Sequence, residues 1–248
     1  MAFIDVHCHL DICEKPQLII KDALKKDVKI IITNGTNPET NSKSLELSKK
    51  YSIVKAALGI YPMEALKLSN EQINDEIDKI RKNNENIVAI GEVGLDFKED
   101  AINHERQKEI FKKFVDLSIS LNKPIIVHSR KAEKECIEIL ELLKAKKVIM
   151  HCFSGKFSLI SKIANNGWYL SIPASIKNSE HFQKIAKEIP IENLLCETDS
   201  PYLHPDKLRN NNPCFVKESY KKIAECKNLN VKEVEEKIEQ NFQKLFNI

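Results

Sequence analysis

The sequence has no apolar run that approaches the roughly 18 residues a membrane-spanning helix needs, so no membrane partner is expected. It also lacks internal repeats, Pro/Gly-rich linkers and low-complexity tracts, which predicts a single domain over residues 1–248. A cleaved signal peptide is not expected, because candidate metal ligands begin as early as His7. These absences predict a cytoplasmic protein, and no feature calls for an obligate protein partner.

Cysteine pairs with metal-binding or redox spacing are also missing. The seven cysteines are odd in number and none forms a C-x-x-C motif, which argues against a zinc knuckle or a dithiol redox site. Reduced thiols fit a reducing compartment. Cys8 and Cys152 each follow a candidate metal ligand, and we expect both to be small buried hydrophobic residues.

A strong excess of positive charge is absent as well. Lysine and arginine number 39 against 36 acidic residues, and the formal net charge is +3. This balance is compatible with an anionic substrate but is far from the strongly basic surface of an obligate nucleic-acid-binding domain.

The chain does contain five apolar segments that end in metal-ligand residues. They are DVHCH (Asp5 to His9), IGEVGLD (Ile90 to Asp96), IIVHSR (Ile125 to Arg130), VIMHCFSG (Val148 to Gly155) and LLCETDSPYL (Leu194 to Leu203). A lone histidine in such a place is usually a core or loop residue, but four of the seven histidines lie at these predicted strand ends. Because side chains alternate along a strand, His7 and His9 should face the same side. Imidazole and carboxylate together predict a divalent metal site.

The order of elements predicts an α/β fold of the (β/α)8 TIM barrel type. Eight apolar runs are candidate strands: Phe3 to Val6, Lys29 to Thr33, Ile53 to Leu58, Ile87 to Ile90, Pro124 to Val127, Lys147 to Met150, Trp168 to Ile172 and Asn193 to Cys196. Amphipathic stretches such as Glu109 to Leu121 and Glu135 to Leu143 lie between them. A doubly wound open sheet is the alternative, but ligands from five strands converge more easily on one rim of a barrel.

A helical extension is expected after the last strand. The polar segment Lys207 to Pro213 should cross the barrel mouth, and the stretches Cys214 to Lys227 and Val231 to Phe246 should form helices, the second of them outside the barrel.

The five segments in this order resemble the TatD family of metal-dependent deoxyribonucleases, within the amidohydrolase-like barrels. The family's DxHxH, GE(I/V)GLD, HSR, HxFSG and ETDxPxL motifs are similar to Asp5–His9, Gly91–Asp96, His128–Arg130, His151–Gly155 and Glu197–Leu203. The resemblance extends to a closing N-x-x-x-L-F at Asn241 to Phe246.

The resemblance implies a centre of two divalent ions. Its ligands would be His7, His9 and Asp199 on one ion, His128 and His151 on the other, and Glu92 between the two. Asp199 and Glu92 would be the catalytic residues, with Asp199 accepting a proton from the attacking water. Zinc, manganese and magnesium are all candidates, and the mixed nitrogen and oxygen ligands favour the first two.

Substrate-binding residues are harder to identify. Arg130 would lie at the barrel mouth and could make a bidentate contact to a phosphate, or pair with a helix acid instead. Further candidates on neighbouring loops are Ser154, Lys156 and Arg209. His204 could act as an acid near the phosphate or have a helix-capping or solvent role. Glu197 lies two residues before Asp199 and is expected on the same strand face, where it could orient metal ligands or be a structural carboxylate.

The loop before Pro213 departs from the family pattern, because Asn212 stands where an acid is expected. That departure concerns substrate preference more than the chemistry.

Three functions are compatible with these features. The first is hydrolysis of phosphodiester bonds in DNA, with RNA as a further substrate, starting from a strand end. The second is another hydrolase of the amidohydrolase type, such as a phosphotriesterase, lactonase or deacylase. The third is a partner-binding protein with structural metals, which is disfavoured because structural zinc sites are typically closed and cysteine-rich.

Overall fold

The computed structural model describes residues 3–208 and 210–247, in which eight parallel strands form one nearly closed barrel. The strands are β1 (Phe3–Cys8), β2 (Val28–Asn34), β3 (Val54–Leu58), β4 (Ala89–Asp96), β5 (Ile125–Arg130), β6 (Val148–His151), β7 (Tyr169–Pro173) and β8 (Leu194–Glu197). Each strand pairs with the next in chain order. This confirms the predicted TIM barrel over the open sheet.

Helices surround the barrel and connect its strands. They are α1 (Pro16–Lys25), α2 (Pro38–Lys50), α3 (Pro62–Ala65), α4 (Asn70–Lys82), α5 (His104–Ser120), α6 (Glu133–Leu142), α7 (Phe157–Asn165), α8 (Glu180–Glu188), α9 (Val216–Lys227) and α10 (Val231–Phe246). Apolar residues three or four positions apart bury one face of most of these helices against the barrel. The last two helices confirm the predicted C-terminal extension.

Hydrogen bonds join the first strand to the segment that follows the last one. The Asp199 backbone N–H donates to the His7 carbonyl at 2.9 Å. The buried Asp5 carboxylate accepts from the Thr198 backbone N–H at 3.0 Å and from the Thr198 hydroxyl at 2.5 Å. The closure of the barrel therefore fixes Asp199 beside the end of β1.

Two strands carry an extra residue at the point where they present a candidate ligand. Val6 and His7 of β1 lie opposite the single residue Ile32, and Gly91 and Glu92 of β4 lie opposite Ile126. Such bulges re-aim a side chain at the rim of a barrel. The predicted fourth strand ended at Ile90, whereas β4 continues to Asp96, so Glu92 lies inside the strand rather than after it.

Gly94 allows β4 to lie directly against β5. A Cβ atom at this position would lie 1.9 Å from the His128 carbonyl oxygen, and the φ of +147° also favours glycine. This close approach brings the end of β4 alongside His128.

No helix within residues 3–208 or 210–247 has the length and apolar character needed to cross a bilayer.

The helix α10 is attached to the barrel through the closing motif. The buried Asn241 side-chain amide donates to the carbonyls of Ile191 and Leu194, at 2.7 and 2.8 Å, just before and at the start of β8. The Ile191 carbonyl also accepts from the Leu194 backbone N–H, so the two bonds of the amide add to this turn and join α10 to the segment that leads into β8.

We expect Asn241→Ala to lower the free energy of unfolding by about 1–3 kcal/mol, because two hydrogen bonds of a buried amide are lost. Urea denaturation measures this difference. Gln243→Ala is the matched control, since Gln243 is an exposed residue of the same helix. Equal stability of the two variants would show that the amide does not hold α10 in place.

Candidate metal centre

The six predicted metal ligands converge at the carboxyl end of the barrel. They are His7, His9, Glu92, His128, His151 and Asp199, contributed by β1, β4, β5, β6 and the segments that follow β1 and β8. The His7 and His151 rings are stacked with their centroids 4.0 Å apart, although 144 positions separate them in the sequence. Only the closed barrel brings these side chains together.

One carboxylate oxygen of Glu92 faces two imidazoles. Glu92 Oε1 lies 2.9 Å from His128 Nδ1 and 3.0 Å from His151 Nε2. The two ring nitrogens are 3.4 Å from each other. These three atoms form one compact group of potential ligands.

The other oxygen of Glu92 faces a second group. Glu92 Oε2 lies 3.4 Å from His9 Nε2 and 3.6 Å from His7 Nε2, and Asp199 Oδ1 lies 3.5 Å from each of these nitrogens. The ligand atoms of His7, His9 and Asp199 all lie within 4.8 Å of one another. The ligand atoms of His7, Glu92 and His151 also lie within 4.8 Å of one another, so His7 lies between the two groups.

Two of the imidazoles are oriented by acceptors on their far side. His9 Nδ1 lies 2.9 Å from the Asn34 carbonyl and His128 Nε2 lies 3.0 Å from Asp96 Oδ2, whereas His151 Nδ1 is 3.7 Å from Glu197 Oε2, which is beyond hydrogen-bond distance. An acceptor on the far nitrogen favours the tautomer whose lone pair points to the centre, which is the usual arrangement of metal-binding histidines.

The donor set fits a divalent cation. Within the described chain, both ring nitrogens of the buried His7 lack a hydrogen-bond partner, as does Nδ1 of His151. Burial raises the pKa of Glu92, but the neighbouring His151 and His128 outweigh burial and hold it well below the usual range. A buried anion among imidazoles with unshared lone pairs has the chemistry of a divalent-metal site.

Asp199 reaches the centre through its backbone conformation. It follows β8 directly, with φ at +54°, a left-handed conformation that aspartate tolerates better than most residues. The sequence predicted that Glu197 and Asp199 would share a strand face. That reasoning was wrong, because β8 ends at Glu197 and strand alternation does not extend beyond it.

A cavity of about 580 Å³ opens over the two groups of ligands. Its walls comprise His9, Ile12, Thr36, Asn37, Thr40, Tyr61, Glu64, Glu92, Glu99, His128, Arg130, His151, Asp199, Tyr202 and Leu203. The volume lies within the range of pockets that hold one small ligand.

Comparison with known proteins agrees with this geometry. Residues 4–247 match the family described as TatD related DNase. The chain belongs to this family. A metal-dependent hydrolase of Methanocaldococcus jannaschii, MJ1582, is 39% identical over 99% of this chain and 97% of its own length. Deoxyribonuclease TATDN3 of Homo sapiens is 32% identical over 99% of this chain and 95% of its own.

A solved TatD homolog has the same fold. The crystal structure of YjjV from Escherichia coli K12 superposes with a TM-score of 0.93 at 24% identity, covering 99% of this chain and 98% of that one. The protein is therefore a TatD-family metal-dependent hydrolase built on a TIM barrel.

Glu197 is bound by groups from two neighbouring strands of the TatD barrel. Its Oε1 accepts from the Cys152 backbone N–H at 2.8 Å, and its Oε2 accepts from the Ser171 hydroxyl at 2.5 Å. With His151 Nδ1 only 3.7 Å away, the fully buried carboxylate links β6, β7 and β8 behind the centre. Its position suits orientation of His151.

Asp96 is the residue that sequence reasoning missed. This fully buried carboxylate, at the end of β4, accepts from the Tyr61 hydroxyl at 2.8 Å, from Arg130 Nε at 2.8 Å and from His128 Nε2 at 3.0 Å. Burial raises its pKa, but His128 and Arg130 outweigh burial and hold it well below the usual range. The available signal was its place at the end of the GLD motif, directly after a buried strand.

Arg130 lies at the mouth, as predicted, but its guanidinium is already paired. It contacts Asp96 and also forms an ion pair with Glu99 in the loop after β4. The structure shows pairing with acids, although they lie at the end of β4 and in the loop after it rather than in a helix as predicted. A side chain that is 39% exposed and lines the cavity remains accessible to an anion as well.

The remaining substrate-binding candidates lie elsewhere. Ser154 contacts Glu133 at 3.3 Å, and Lys156 stands at the start of α7. The His204 Nδ1 atom accepts from the Asp206 backbone N–H at 3.0 Å, which is a structural role. None of the three belongs to the cavity walls formed by the described residues. Arg209 lies outside the described residues.

We expect Asp96→Asn to weaken zinc binding by roughly 10- to 100-fold, because the anion that orients His128 is lost. Competition between the metal-free protein and a chromophoric chelator measures the affinity. Glu99→Gln is the matched control, since Glu99 pairs with Arg130 but not with His128. Wild-type affinity in Asp96→Asn would show that His128 does not need this partner.

Proposed function

We propose that this TatD-family hydrolase cleaves phosphodiester bonds of DNA, with RNA as a further substrate, and that it holds two divalent ions. His7, His9 and Asp199 would bind one ion, His128 and His151 the other, and Glu92 would bridge them. The observation that supports two ions is the position of Glu92, whose two oxygens face separate groups of ligands.

Divalent ions at these positions would lower the pKa of bound water and neutralise the charge of a phosphate. A side chain of the protein would accept and donate the proton. Burial raises the pKa of Asp199, but the neighbouring His7 and His9, whose Nε2 atoms lie 3.5 Å from its Oδ1, outweigh burial and hold that pKa well below the usual range. Asp199 is therefore ionised at neutral pH, lines the cavity, and can accept a proton from the attacking water and return it to the leaving alkoxide.

DNA as the substrate is supported by the family description and by the name of the human relative. The cavity supports a strand end as the point of attack. Its volume of about 580 Å³ suits one nucleotide rather than a paired segment. The proposal is therefore a nuclease that removes nucleotides from an end.

Hydrolysis is expected to depend on metal. Exhaustive chelation, verified by elemental analysis, should abolish cleavage of single-stranded DNA, and added zinc, manganese or magnesium should restore it. Duplex DNA, RNA, an aryl phosphotriester and a lactone complete the substrate panel. Turnover of the phosphotriester or lactone with no cleavage of any nucleic acid would replace the nuclease by another hydrolase of the amidohydrolase type.

Two substitutions separate metal binding from proton transfer. Asp199→Asn keeps one oxygen ligand but cannot act as a base, so we expect appreciable metal content with hydrolysis reduced roughly 100- to 10,000-fold. Glu92→Ala removes the charge between the two groups of ligands and should lower metal content together with activity. Metal content is measured by elemental analysis and activity on single-stranded DNA. Near wild-type rates in metal-loaded Asp199→Asn would place the proton acceptor elsewhere.

A further inference from the structure

The rim of the cavity has an apolar side that the hydrolytic chemistry does not require. Ile12, Tyr202 and Leu203 line the cavity with exposed fractions of 44, 55 and 41%. They are three of the ten large hydrophobic residues that are exposed in the described part of the chain. Large apolar side chains that cluster at a cavity mouth commonly mark a binding surface, whereas isolated ones do not.

The Tyr202 ring is held beside the candidate metal centre. Its centroid lies 6.1 Å from that of His9, and its backbone N–H donates to the Asp199 carbonyl at 2.9 Å. More than half of the side chain is nevertheless exposed. An aromatic face that is fixed at the edge of the centre and open to the cavity can stack on a planar group of the substrate.

We propose that Tyr202, flanked by Ile12 and Leu203, forms a stacking subsite for the nucleobase next to the scissile phosphodiester. The inference rests on the proposed nuclease function and specifies how the end of the strand is bound. A base that stacks on Tyr202 cannot remain paired and stacked in a duplex, so the subsite favours unpaired or frayed ends.

The polar side of the same cavity supports an interaction that does not depend on base identity. Thr36, Asn37 and Thr40 bond to each other at the start of α2, with the Thr40 N–H donating to Asn37 Oδ1 and the Asn37 N–H donating to Thr40 Oγ1. Much of their hydrogen-bonding capacity is therefore used internally. Every base has a π-face, so stacking on Tyr202 tolerates all four bases.

The test compares single-stranded oligonucleotides that differ only by an abasic residue at either nucleotide flanking the cleaved bond. In the metal-loaded wild-type protein, one of the two abasic positions should lower kcat/KM by about 5- to 150-fold, the range that corresponds to one base stacked on an aromatic ring. Tyr202→Ala should lower kcat/KM for the intact oligonucleotide by a similar factor, mainly through KM. In this variant the factor by which base removal lowers kcat/KM should fall close to one, because the base has lost its stacking partner.

Two further variants act as controls. Tyr202→Phe keeps the ring and should retain the penalty for base removal. Ile102→Ala removes an exposed apolar side chain outside the cavity and should behave as the wild type. A wild-type protein that cleaves intact and abasic strands equally well, or a Tyr202→Ala variant with an unchanged penalty, would overturn the stacking subsite alone. A wild-type protein that cleaves no oligonucleotide would reject the nuclease function and the subsite with it.

Discussion

The position of Glu92 among four imidazoles is the constraint on which the site depends. Its two oxygens lie between 2.9 and 3.6 Å from ring nitrogens of His7, His9, His128 and His151. A buried carboxylate is costly unless positive charge or hydrogen-bond donors surround it. Protons or cations shared with the imidazoles offset that cost, so the carboxylate, the histidines and a bound cation form one interdependent unit.

The closure of the barrel contributes to the same unit. Asp5 accepts two hydrogen bonds from Thr198, and the next residue, Asp199, donates its N–H to the His7 carbonyl. Bonds that link the two ends of the sheet therefore also set the distance from Asp199 to His7 and His9. In this barrel, a change that loosens the closure is expected to disturb stability and the candidate centre together.

The two sides of the cavity have different chemistry. On the side of β4 and β5, Asp96 connects Tyr61, His128 and Arg130 in one charged network that orients the His128 ring. On the side that follows β8, the rim is apolar and its aromatic residue, Tyr202, is open to the cavity. This division is compatible with the nucleotide substrate proposed above, which has a charged phosphate and a planar aromatic base.

The sequence alone determined the barrel, because eight apolar runs alternated with amphipathic stretches and ligand types stood at the ends of five of them. It could not predict Asp96 as a partner of His128, since their contact depends on Gly94 letting β4 approach β5. Strand alternation also could not place Asp199 relative to Glu197, because β8 ends at Glu197 and the backbone of Asp199 is left-handed. The local sequence pattern determined the strands, the helices and the candidate ligands. The bulges, the closure of the barrel and the packing between distant strands determined which side-chain atoms lie next to each other.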